Sequence, residues 1–120
     1  MKVHVAASTT RASILFANGT KDTATAKDEY TKNESKYRAI LLAIHVAKSR
    51  NINLTEVVSD SQLVVAQLNG ARSVNELRLR ELAETIWKRT GAVYVDGTLM
   101  KQGDVAFTYV KRADNPARRV

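Results

Sequence analysis

Apolar positions at period two mark the first thirty residues as strands, and spacing at three and four residues marks the next stretch as helical. Lys2–Ala7 alternates through Val3 and Val5, and Ala12–Ala17 carries Ile14, Leu15 and Phe16. Asn18-Gly19 is a strong hairpin-turn signal. Asp22–Tyr30 is rich in Thr and Ala and alternates weakly, which predicts a third strand at a sheet edge. Asn33 has the form of a helix N-cap. Tyr37, Ile40, Leu41, Ile44 and Lys48 then share one mostly apolar face, predicting a helix from Glu34 to Ser49. Leu54–Ser59 reads as a buried strand after the break at Asn51-Ile52-Asn53. Asp60 or Ser61 should cap a short second helix that ends at Asn69-Gly70. Ser73-Val74-Asn75-Glu76 has capping-box form and opens a third helix through Leu79, Leu82, Ala83 and Ile86. Ala92–Leu99 predicts an extra strand or hairpin arm, and Asp104–Lys111 the last strand.

This order, β-β-β-α-β-α-α-(β)-β, predicts an α/β fold. Three antiparallel strands form a meander, and the first helix crosses over to a parallel strand. The expected product is one domain over residues 1–120: a mixed five-stranded sheet with helices packed on it, its final helix short or missing. Apolar runs such as Ala39 to Ile44 are too short to cross a bilayer. The N-terminus lacks the apolar core of a signal peptide, and the absence of cysteine excludes disulfides and thiolate metal sites. These features point to an intracellular, most simply cytoplasmic, protein with no membrane partner. The net charge of +7, from nineteen Lys and Arg against twelve acids, bends the expectation toward a polyanionic partner such as nucleic acid.

Three stretches, in order along the chain, carry a family resemblance. They are Thr31-Lys32-Asn33-Glu34-Ser35-Lys36-Tyr37-Arg38-Ala39, then Val58-Ser59-Asp60-Ser61-Gln62-Leu63-Val64-Val65, and finally Tyr109-Val110-Lys111-Arg112 followed by Asn115. Together they resemble the ribonuclease H type 1 family. The resemblance implies an RNase H-like sheet and a site that, in active members, uses four carboxylates. Those carboxylates hold two Mg²⁺ or Mn²⁺ ions roughly 4 Å apart, which activate water and stabilise the leaving oxygen in phosphodiester hydrolysis.

Matched position by position, this chain departs from that set. Ala6 stands where the first acid belongs, Lys36 where the second does, and Arg119 where the fourth falls four residues after Asn115. Asp60 is the one acid retained. A single carboxylate cannot assemble a two-metal site, so the chain resembles a catalytically degenerate member, with no metal site and no cofactor. Lys36, with or without Arg119, is the expected source of the positive charge once supplied by metal, as an ion-pair partner of Asp60. Glu34 should face away from the site. Asp96 in Asp96-Gly97-Thr98 reads as an ordinary turn, while Asp96 and Asp114 are the residues from which a rebuilt site would draw.

The leading expectation is a non-catalytic RNase H-like module that binds nucleic acid, either an RNA/DNA hybrid or structured RNA. The resemblance assigns contacts to Thr31, Asn33 and Gln62, to which the cations Lys32, Lys36 and Arg119 add. One alternative is a structural or protein-interaction subunit within a larger assembly. Another is an active Mg²⁺- or Mn²⁺-dependent ribonuclease H reorganised around Asp60. His45 should be a packed or boundary residue, and Trp87 a core residue rather than a base-stacking platform.

Overall fold

In the computed structural model, which describes residues 1–26 and 30–120, ten strands and helices precede two short 3-10 turns. The strands β1 (Lys2–Ala7), β2 (Arg11–Phe16) and β3 (Lys21–Thr25) form the antiparallel meander. Helix α1 (Lys32–Ser49) leads to β4 (Glu56–Ser59), which pairs parallel to β1. Helices α2 (Gln62–Leu68) and α3 (Leu77–Arg89) come next, then the hairpin β5 (Val93–Val95) and β6 (Thr98–Lys101). The last strand, β7 (Ala106–Tyr109), pairs parallel to β4. The main sheet therefore runs β3-β2-β1-β4-β7, the mixed five-stranded sheet that the hydrophobic pattern predicts. None of the helices described is long and apolar enough to cross a membrane.

Alternation sets which side chains reach the core. Val3, Val5, Ile14, Phe16 and Val57 meet Tyr37, Ile40 and Ala43 of α1 and Leu79, Ala83, Ile86 and Trp87 of α3 in one buried cluster. Ala6, Val58 and Ala117 are buried outside it. Trp87 is a core residue, and its indole N–H donates to the Leu68 carbonyl at 3.0 Å. His45 stands exposed, beyond the edge of the apolar face of α1.

Tyr37 is fully buried, and its hydroxyl donates to Gln67 Oε1 at 2.6 Å. Burial pushes its phenol well above the ordinary range, so the hydroxyl stays protonated as the donor. Tyr37→Phe would leave a buried amide oxygen without a partner. It is expected to cost about 1–2 kcal/mol, read from the urea midpoint of unfolding.

Several local expectations shift. The α1 N-cap is Thr31, whose hydroxyl accepts from Glu34 N–H at 3.2 Å, so Asn33 lies inside the first turn. Strand β3 stops at Thr25, and the remainder of the expected strand includes residues 27–29, outside the described residues. The Ser73 capping box does not form. The Ser73 carbonyl instead accepts from Gln67 Nε2, Val74 is buried, and α3 begins only at Leu77 with no side-chain cap. Asp96 and Gly97 both have positive φ, 48° and 76°, as a two-residue primed hairpin turn requires. Asp96-Gly97 is thus the β5–β6 turn.

Candidate functional site

Asp60 follows the C-terminal end of β4, beside the parallel strand β1, where open α/β sheets gather chemistry. The next residue, Ser61, caps α2 by accepting from Val64 N–H at 3.3 Å. That cap turns the chain sharply and leaves the Asp60 side chain pointing at the chain's last residues. There, Asn115 Nδ2 donates to Asp60 Oδ2 at 3.0 Å and to the Val5 carbonyl at 2.9 Å.

The dominant partner of Asp60 is Arg118. Its Nε donates to Oδ2 at 2.7 Å and its Nη2 to Oδ1 at 2.8 Å, a two-pronged pair that engages both carboxylate oxygens. Arg118 Nη1 also donates to the Ala7 carbonyl at 3.2 Å, anchoring the guanidinium to the end of β1. The pair is largely dehydrated, with Asp60 4% and Arg118 21% exposed at the side chain. Burial alone would raise the Asp60 carboxyl. The hydrogen bonds from Arg118 and Asn115, with the charges of Arg118 and Lys36, outweigh it and hold the carboxyl below its ordinary range.

The ion pair expected from Lys36 or Arg119 is therefore made by Arg118, and helix type explains the shift. Counting four residues from Asn115 presumes an α-helix. The chain instead forms a 3-10 turn over Pro116–Arg119, with Arg118 N–H bonded to the Asn115 carbonyl three residues back at 3.2 Å. In a 3-10 turn, residues i and i+3 eclipse, so Asn115 and Arg118 face Asp60 together and Arg119 is left exposed. Pro116 at the first position and the Asn115 side chain accepting from Ala117 N–H at 3.1 Å start this turn. Asn115-Pro116 was the available signal; periodicity over four residues carries none.

Of the residues singled out by sequence, Thr31, Lys32, Asn33 and Lys36 occupy the N-terminal end of α1. Thr31 and Lys32 are exposed, while Asn33 and Lys36 are half-buried. Lys36 has no carboxylate within 4.0 Å among the described residues, and its charge reaches Asp60 through space. Gln62 is exposed at the first position of α2, two residues from Asp60. Ala6 is buried and offers no donor. Asp114 is exposed in the turn Arg112–Asp114. Among the described residues, no three His, Cys, Asp or Glu side chains converge as a metal site would need.

Sequence reasoning missed a second buried acid. Glu34, 7% exposed at the side chain, is paired with Arg78 Nε at 2.8 Å, and Arg38 Nε stands 3.7 Å from its other oxygen. Arg78 comes from the first turn of α3, so this pair ties the starts of two helices together.

The reverse transcriptase-like family matches residues 2–116. The chain belongs to this RNase H-like family. No curated protein matches it. Among solved structures, LC11-RNase H1 in complex with RNA/DNA hybrid is similar at 19% identity and a TM-score of 0.78, covering 98% of this chain and 91% of that one. RNase H1 from the archaeon Halobacterium salinarum NRC-1 is 23% identical with a TM-score of 0.69, over 98% and 91% of the two chains. The N-terminal RNase H domain of a Mycobacterium tuberculosis protein is 21% identical with a TM-score of 0.70, over 98% and 88%. Likeness at these identities establishes the RNase H-like fold.

Proposed function

We propose that this chain is a non-catalytic RNase H-like module that binds nucleic acid, with Arg118 supplying to Asp60 the positive charge that metal ions supply in an active site. The observation that carries this reading is the two-pronged Arg118–Asp60 pair, which occupies both oxygens of the one retained acid. The donors described do not fit two divalent cations. Ala6 brings no oxygen ligand, and Lys36 and Arg118 bring positive charge, whereas hard divalent ions need several oxygen ligands and gathered negative charge.

Binding draws support from a different set of groups. The charge of +7 favours a polyanion. Lys32 and Arg119 are exposed, and Lys36 is half-buried. Thr31, Asn33 and Gln62 supply neutral polar groups suited to backbone and minor-groove contacts. One similar structure was solved with an RNA/DNA hybrid, which makes that duplex the first ligand to try.

A protein-scaffold role is the second reading, favoured by Val93, Val95 and Met100, all exposed on the β5–β6 hairpin. A salt series separates the two. Anisotropy of a labelled hybrid, without divalent ions, is expected to show affinity falling with salt at a log–log slope of about −3, for roughly three to four phosphates neutralised. Absence of binding at low salt would remove the nucleic-acid reading and leave the scaffold.

A further inference from the structure

The hairpin β5–β6 stands apart from the main sheet and has two unlike faces. Alternation turns Tyr94 and Leu99 inward, where both pack on the core and the Tyr94 ring meets Trp87 at 5.7 Å between centroids. The opposite face carries Val93, Val95 and Met100, each more than half exposed. A hairpin with one solvated face normally places polar residues there. Leu77 extends this apolar surface. It shares a row of α3 with Arg80 and Glu84, at i, i+3 and i+7, and those two hold the turn. Arg80 packs against Gly97, and Glu84 Oε2 accepts from the Gly97 N–H at 2.7 Å. Four of the six large apolar side chains exposed among the described residues thus gather at one hairpin. Contiguous exposed apolar surface of this kind marks an interaction site.

We infer that this face packs on the same face of a second copy of the chain, about a twofold axis that sets the tip of one hairpin over the base of the other. Charge selects both the occupant and the orientation. Asp96 sits at the tip and Lys101 at the base, both exposed. Neither has an oppositely charged side chain within 4.0 Å among the described residues. Tip over base sets each Asp96 against Lys101 of the other copy, twice by symmetry. Tip over tip would bring two carboxylates together instead. Asp96 and Lys101 are the only charges between residues 93 and 101, so the hairpin is neutral. A neutral face with one acid and one base at opposite ends complements itself, as a twofold contact requires. A polyanion or a strongly acidic protein would find a single cation there. Four apolar side chains per copy bury well under the roughly 1,600 Å² of a standard interface, so the dimer is weak, half formed at about 100 µM. The inference does not rest on nucleic-acid binding.

Sedimentation velocity of the whole chain, without nucleic acid, reads the association from about 10 µM to about 1 mM. The native chain is expected to pass from monomer to dimer, more readily as salt rises, because screening relieves the repulsion between two chains of charge +7. In the ¹⁵N-labelled chain, the amides of Leu77, Val93, Val95 and Met100 should shift with concentration. Val95→Glu changes an exposed position and should keep the native melting temperature. It should weaken the dimer at least about tenfold, although it lowers the net charge, because the interface would bury an unpaired carboxylate. Lys101→Glu should weaken it about threefold by making both ion pairs repulsive. Lys21→Glu, the same change of charge on the exposed strand β3, should not weaken it. A monomer throughout the concentration range overturns the inference and leaves the proposed function standing. A dimer that Val95→Glu leaves intact overturns it too, since the contact then lies elsewhere on the chain. Equal effects of Lys101→Glu and Lys21→Glu overturn the tip-over-base pairing.

Discussion

Arg118→Ala is expected to destabilise the chain by about 3 kcal/mol, the low end for breaking a buried ion pair because a fifth of the arginine side chain remains exposed. The loss has two parts. Among the described residues, Asp60 would keep only Asn115 as a hydrogen-bond partner, and the end of β1 would lose its tie through the Ala7 carbonyl. Arg118→Lys is expected to recover little, because an ammonium cannot reproduce the two-pronged contact and reach Ala7 as well. Combining Arg118→Ala with Asp60→Asn should cost less than the two single changes summed, since the second removes the charge that the first strands. Acid behaviour is set by the same pair. The Asp60 carboxyl is held below its ordinary range when folded, so the unfolded chain binds its proton more readily. Its stabilisation is fully present above the ordinary carboxylate value and is lost as pH falls through the depressed folded value. Thermal melts from about pH 5 down to about pH 2 should therefore fall more steeply for the native chain than for Asp60→Asn.

The second large effect concerns binding. The double replacement Lys32→Glu with Lys36→Glu is expected to weaken hybrid binding at least about thirtyfold at physiological salt. Each lost phosphate contact is worth about 1 kcal/mol there, and reversal adds repulsion. The log–log salt slope should become shallower by about two. Lys36→Glu also withdraws a favourable charge from Asp60, so melting temperatures must accompany the affinities. Lys32→Glu alone separates the contributions, being exposed and not among the charges acting on Asp60. Anisotropy across the salt series reads both quantities.

The sheet was largely legible because alternation through Val3, Val5, Ile14 and Phe16 reports burial directly, and Asn18-Gly19 marks the first hairpin. The family stretch around Asp60 was legible for a similar reason: a buried strand, an acid and a capping serine lie within a few consecutive residues. Contacts made across space by irregular backbone did not show. Arg118 was hidden behind Arg119 because sequence does not say whether four residues form an α or a 3-10 turn, and the eclipsed side chain changes with that choice. The Ser73 capping box had the right letters, but burial of Val74 and the contact to Gln67 outweighed one local cap. The Glu34–Arg78 pair joins two helices far apart in sequence, a separation at which no local pattern operates.

In the proposed function, Arg118 neutralises Asp60 in place of metal ions, and the surrounding face holds nucleic acid without cutting it. The most direct test incubates the native chain with labelled RNA/DNA hybrid, with and without Mg²⁺ or Mn²⁺, and measures both retention and strand length. The account predicts retention without divalent ions, an intact RNA strand with them, and the same intact strand for Asp60→Asn. Divalent-dependent cleavage of the RNA strand that disappears in Asp60→Asn would contradict it.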